Sequence, residues 1–86
     1  MNEGLKQFGA RIRELRLAAG MSQEELAAHA GLHRTYIGGI ERGERNVGLV
    51  NVIKLAATLR IPVADLFPLK QSPTTGSQSV ARRGSK

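Results

Sequence analysis

Apolar residues recur along this chain at the spacing of helices, never at that of strands. Leu5, Phe8, Ile12, Leu15 and Ala19 fall three or four residues apart, with Lys6, Arg11, Arg13 and Glu14 largely off the stripe. Gly20 follows and suits the end of that first helix. Ser22 then stands three residues before Glu25, the spacing of a capping box, ahead of an inward set of Leu26, Ala27 and Ala30. Gly31 ends this second, short helix, and Leu32 connects it to a third that begins at His33 or Arg34 and closes at Gly43. A loop through "ERNVG" leads to a fourth helix over about 49–59, with Val52, Ile53, Leu55, Ala56 and Leu59 as its apolar side. Arg60 and Ile61 form a break. Pro62 suits the first turn of a last short helix, where its missing N–H costs nothing, and Pro68 stops it.

The pattern predicts an all-α, compact five-helix domain over residues 4–69. The segment 70–86, with "QSPTTGSQSVARRGSK" as its bulk, holds too little apolar surface to offset its ordering entropy, so a disordered basic tail is expected there.

The short spacer around Gly31 joins the second and third helices as in a helix-turn-helix. Ala27 is small enough for close crossing, Gly31 permits the turn, and Ile37 and Ile40 pin one helix on the other. With these isoleucines inward, an advance of about 100° per residue points Thr35, Gly38, Gly39 and Arg42 outward, with Arg34 beside them at the N-terminal end. The adjacent glycines are the oddity, because each costs a helix roughly 1 kcal/mol relative to alanine. Two readings are open. "GGI" is loop, or the helix persists because its isoleucines hold it, and the missing side chains let a ligand approach closely.

The run "MSQEELAAHAGLHRTYIGGIERGERN" resembles the DNA-binding domain of the Cro and phage-repressor family of bacterial transcription regulators. "RTYI" followed by "IERGERN" is similar above all to its small members that control restriction–modification genes. The likeness covers about residues 5–67 and implies a lambda-repressor-like fold that binds double-stranded DNA. The outward face of the third helix then enters the major groove, N-terminal residues closest to the bases. Arg34, Thr35, Gly38 and Gly39 become the candidate base contacts, with Arg34 able to pair with guanine. The family often carries Ser, Arg or Gln where this chain has the two glycines. Ser22 and Gln23 open the second helix, where free N–H groups favour a phosphate, and the resemblance assigns the glutamine to the DNA backbone. It assigns Arg42, Arg45 and Asn46, in the following loop, to the same backbone. Tyr36 is expected on a phosphate or a deformable base step, or else over the edge of the core. The resemblance pairs Arg16 with Glu41 as a structural ion pair.

One such domain reads few base pairs, so a homodimer on two half-sites is expected. Val63, Leu66, Phe67 and Leu69 are the candidate interface. The alternative for Leu66 and Phe67 is to close the monomer core, to which Leu66 is at least as well suited, while Phe67 and Leu69 suit the interface better.

Charge is consistent with this picture. The net charge is +6, of which residues 70–86 supply +4 through Lys70, Arg82, Arg83 and Lys86 with no acid. A basic balance suits an anionic partner. Phe8, Tyr36 and Phe67 are the whole aromatic content, too little for a platform that stacks single-stranded bases. Cysteine is absent, and His29 and His33 lack a third ligand nearby, so neither disulfides nor a metal or other cofactor is expected. No apolar run reaches the roughly 18 residues a span requires, and the N-terminus lacks a signal-peptide core, so no membrane association and a cytoplasmic location are expected. No nucleophile–base constellation points to an enzyme. The expectation is a non-catalytic, autoregulatory regulator on a pseudo-palindromic operator, with RNA polymerase as a further partner. The alternative is an antitoxin that also neutralises a partner toxin.

Overall fold

The stripe of Phe8 and Ile12 drives the first helix, α1 (Glu3–Ala18), onto the rest of the chain. A computed structural model describes residues 3–68, and among them every regular element is helical. Three further helices follow, α2 (Gln23–Ala30), α3 (Arg34–Glu41) and α4 (Leu49–Leu59). The expected fifth helix is a single 3-10 turn, Val63–Leu66, with Pro62 at its N-cap instead of within its first turn. Leu69 and the segment 70–86 lie outside the described residues.

Side chains from all five elements close the core, where Ile12, Leu26, Ile37, Ile40, Leu55 and Leu66 are fully buried. α3 sits in the middle, packed against both α1 and α2, while α2 and the 3-10 turn pack on α4. Arg11 ties the turn to α1, its Nε donating to the Asp65 carbonyl at 2.9 Å.

Two inward assignments are corrected. Ala19 lies exposed beyond the end of α1, and Ile53 is 51% exposed on the outer side of α4. Both are apolar residues at a plausible spacing, but Ala19 is past the last helical turn and Ile53 lies off the Val52–Leu55–Ala56 face.

Gly9 was not singled out by the apolar pattern, yet it sets the distance between α1 and α3. A Cβ built on it would run into the Ile40 carbonyl oxygen and come within 2.8 Å of that of Glu41.

The four helices end alike. In α3, Gly43 N donates to the Ile40 carbonyl at 3.0 Å and Glu44 N to that of Gly39 at 2.8 Å, the paired bonds of a Schellman motif. The left-handed residue is glycine in the first three helices, but in α4 it is Arg60, with φ 61°. A non-glycine residue pays roughly 1–2 kcal/mol for this conformation. Arg60→Gly should therefore raise stability by about 0.5–1 kcal/mol after the added freedom of the unfolded chain is subtracted. Thermal denaturation of the two proteins measures it, and an unchanged or lower midpoint would refute it.

Candidate nucleic-acid interface

α2 starts as its sequence requires, whereas α3 starts at His33 with no side-chain cap. The Ser22 hydroxyl accepts from Glu25 N at 3.0 Å, and Ser22 N donates to Glu25 Oε1 at 2.8 Å, so the capping box is complete. The Ser22 hydroxyl is thus committed to the cap. α2 turns into α3 through Gly31, whose φ is 73°. α3 then runs unbroken from Arg34 to Glu41 through both glycines, which eliminates the loop reading of "GGI".

Arg34 and Thr35 are exposed at the N-terminal end of α3. Arg34 Nη1 lies 3.1 Å from Glu24 Oε2, with both side chains more than two-thirds exposed. Such a surface pair contributes less than about 1 kcal/mol, so it restrains Arg34 only weakly.

Gly38 and Gly39 face away from the core but are buried. Side chains from other elements lie over them. A Cβ on Gly38 would meet Arg42 Nη1 at 3.1 Å and Gln23 Oε1 at 3.5 Å, and one on Gly39 would meet Arg45 Cγ at 2.7 Å. The open approach expected of the glycines is therefore filled in the free protein by three of the candidate contact residues. Arg42 also donates from Nε to Glu44 Oε2 at 3.0 Å. That hydrogen bond, aided by the nearby positive charge of Arg42 and Arg45, holds the Glu44 carboxyl below its usual range. Asn46 is exposed in the same loop.

Beneath this surface, Arg16 and Glu41 form the expected pair. Arg16 Nε donates to Glu41 Oε2 at 2.7 Å and Nη2 to Oε1 at 3.1 Å, with side chains 8% and 3% exposed. Arg16 Nη1 donates to the Met21 carbonyl at 2.9 Å. The hydrogen bonds to Glu41 hold the Arg16 guanidinium above its ordinary pKa against the opposing effect of burial. Gln23 joins the pair, since its Nε2 donates to Glu41 Oε1 at 3.0 Å. One carboxylate thus links α1, α2 and α3. Spacing alone gave no sign that Gln23 belonged to it.

Tyr36 packs against the core, and its hydroxyl accepts from Asn51 Nδ2 at 3.1 Å. The ring covers the core edge, and Asn51, unremarked in the sequence, ties α4 to α3.

Of the candidate interface residues, Leu66 is fully buried and closes the monomer core, which corrects its assignment to a dimer contact. Val63 and Phe67 are 38% and 44% exposed, and the Phe67 ring also stacks at 5.2 Å on Phe8. Leu49, Val50 and Ile53 of α4 are more exposed still.

The chain matches the model of the HTH_3 helix-turn-helix family over residues 12–66. It is 50% identical over 61 residues to control protein C.BamHI of Bacillus amyloliquefaciens, covering 70% of this chain and 75% of that protein. It is 44% identical over 68 residues to control protein C.MunI of Mycoplasma sp., covering 78% of this chain and 92% of that one. The crystal structure of the restriction–modification controller protein C.AhdI from Aeromonas hydrophila superposes with a TM-score of 0.72 at 59% identity, over 73% of this chain and 96% of that one.

Proposed function

The chain belongs to the HTH_3 helix-turn-helix family, and from that premise we propose that it is a regulator of restriction–modification genes that binds its operator as a homodimer. The observation that carries this reading is the unbroken α3, with Arg34 and Thr35 exposed at its leading end and Arg42, Arg45 and Asn46 on the loop behind it. The unit that binds spans residues 4–69, with the basic segment 70–86 following.

Each subunit sets α3 in a major groove. Arg34 and Thr35 read base edges there. Gln23, held by Glu41, takes a phosphate at the start of α2, beside the capped Ser22. Arg42, Asn46 and the Tyr36 hydroxyl lie on the sugar–phosphate backbone and fix register without reading sequence. Val63 and Phe67, with the exposed apolar residues of α4, meet their copies across a two-fold axis, so the operator is pseudo-palindromic. The dimer blocks or recruits RNA polymerase, its own promoter included. The reaction is binding alone, with no catalysis.

Selection from a random duplex library at near-physiological salt tests the reading. The expected result is a two-fold symmetric motif with half-sites about 34 Å apart, one helical turn. A bound pool with no enriched motif would overturn it. Arg34→Ala should then remove roughly 1–3 kcal/mol of discrimination at one base position of each half-site. Equal weakening on every sequence would make Arg34 a phosphate contact.

A further inference from the structure

Gly39 lies on the outward face of α3, one turn after Thr35, yet it is buried. What buries it is the stem of Arg45. The position a Gly39 Cβ would take lies 2.7 Å from Arg45 Cγ, 3.2 Å from Nε and 3.5 Å from Cδ. A methyl group at Gly39 and the present course of Arg45 cannot coexist. The guanidinium therefore begins at the surface of α3 and not out in the loop. Among the described residues it has no hydrogen-bond or ion-pair partner, whereas Arg34 and Arg42, at the two ends of α3, are both paired. Gly38 provides the adjoining space, which Arg42 Nη1 and Gln23 Oε1 share.

We propose that Gly38–Gly39 is a seat that carries Arg45 across the recognition helix, so that Arg45 reads a base in the major groove instead of gripping the DNA backbone. Gly39 is then a positioning residue for Arg45. The missing side chains serve this chain's own arginine, which supplies from the loop the base-reading group that α3 lacks at its middle. Arginine suits the task because its planar fork can engage both acceptors on the guanine edge. This inference rests on the operator-binding reading above.

A double-mutant cycle tests it, with wild type, Gly39→Ala, Arg45→Ala and the double variant compared on the selected operator and on single-base variants of it. The expected result is that Gly39→Ala and Arg45→Ala each reduce discrimination roughly 5- to 100-fold at the same base position. The double variant should lose no more than Arg45→Ala alone, because the glycine acts only through the arginine. Gly39→Ala should keep the fold, because the helix preference of alanine, about 1 kcal/mol, offsets part of the cost of displacing Arg45. Should that variant still fail to fold, Arg45→Met, which keeps the stem and removes the guanidinium, must lose the same base preference. Losses that add across the cycle would overturn the proposal, because the glycine would then be meeting DNA directly. So would uniform weakening by Arg45→Ala or Arg45→Met on every sequence, with a shallower salt dependence, the signature of a phosphate contact. A wild type that selects no motif overturns the functional reading and this one with it. A motif whose base preferences survive every variant overturns this one alone.

Discussion

Glu41→Ala should cost the fold about 3–5 kcal/mol, the range seen when one partner of a buried ion pair is removed. The Glu41 carboxylate accepts three hydrogen bonds, two from Arg16 and one from Gln23. Its loss leaves the Arg16 guanidinium at 8% exposure with only the Met21 carbonyl to face. Total stabilities of small domains are about 5–15 kcal/mol, so a change of this size brings the protein near its folding threshold. Urea denaturation measures it, and a loss below about 1 kcal/mol would show that the pair contributes nothing beyond its neighbours. Replacing both partners with apolar residues, as in Arg16→Met with Glu41→Leu, should recover much of the stability because no buried charge is stranded. That variant should nevertheless bind operator more weakly than wild type, since Gln23 loses the acceptor that fixes its amide. Recovery of affinity together with stability would mean that Gln23 needs no such anchor.

Gly9→Ala should lower stability by about 3 kcal/mol, at the upper end of what overpacking a core costs. Alanine would ordinarily strengthen a helix by about 1 kcal/mol over glycine. Here the added methyl meets the carbonyl oxygens of Ile40 and Glu41, which are backbone atoms and cannot swing aside as a side chain can. α1 and α3 would have to separate, and the Arg16–Glu41 geometry spans that contact. A thermal midpoint equal to or above wild type would show that α1 shifts without penalty. At Gly39 the obstructing atoms belong to the Arg45 side chain and not to backbone.

The helices were legible because each carries its own local signals. The Ser22–Glu25 box, the terminal glycines and the three-four spacing of apolar residues place α2, α3 and α4 to within a residue. What spacing cannot give is the partner of each face. Ile53 is as apolar as Val52, and only the position of α4 on the core leaves one exposed and the other buried. Gly9 carries no hydrophobic signal at all, and its importance comes from a helix thirty residues away in sequence. The outward direction of Gly38 and Gly39 could be counted along the helix. That Arg42, Gln23 and Arg45 lie over them depends on the loop geometry after Gly43, to which helical periodicity is blind. The Gln23–Glu41 and Asn51–Tyr36 hydrogen bonds are likewise polar pairs between elements, without a pattern in either segment. Core and interface were both open for Leu66 and Phe67; complete burial decides for the core at Leu66, while Phe67 is 44% exposed.

The shared carboxylate at Glu41 also divides the surface by how freely it can diverge. Arg34 and Thr35 are exposed, and the one ion pair of Arg34 is with the exposed Glu24. If they read the operator as proposed, they can change during evolution and retarget the protein without passing through an unfolded intermediate. Arg16 and Glu41 cannot vary one at a time, because each single step strands a buried charged partner. On the proposed reading, a lineage of such regulators can acquire new recognition sequences quickly while the Arg16–Glu41 pair beneath Gln23 stays fixed.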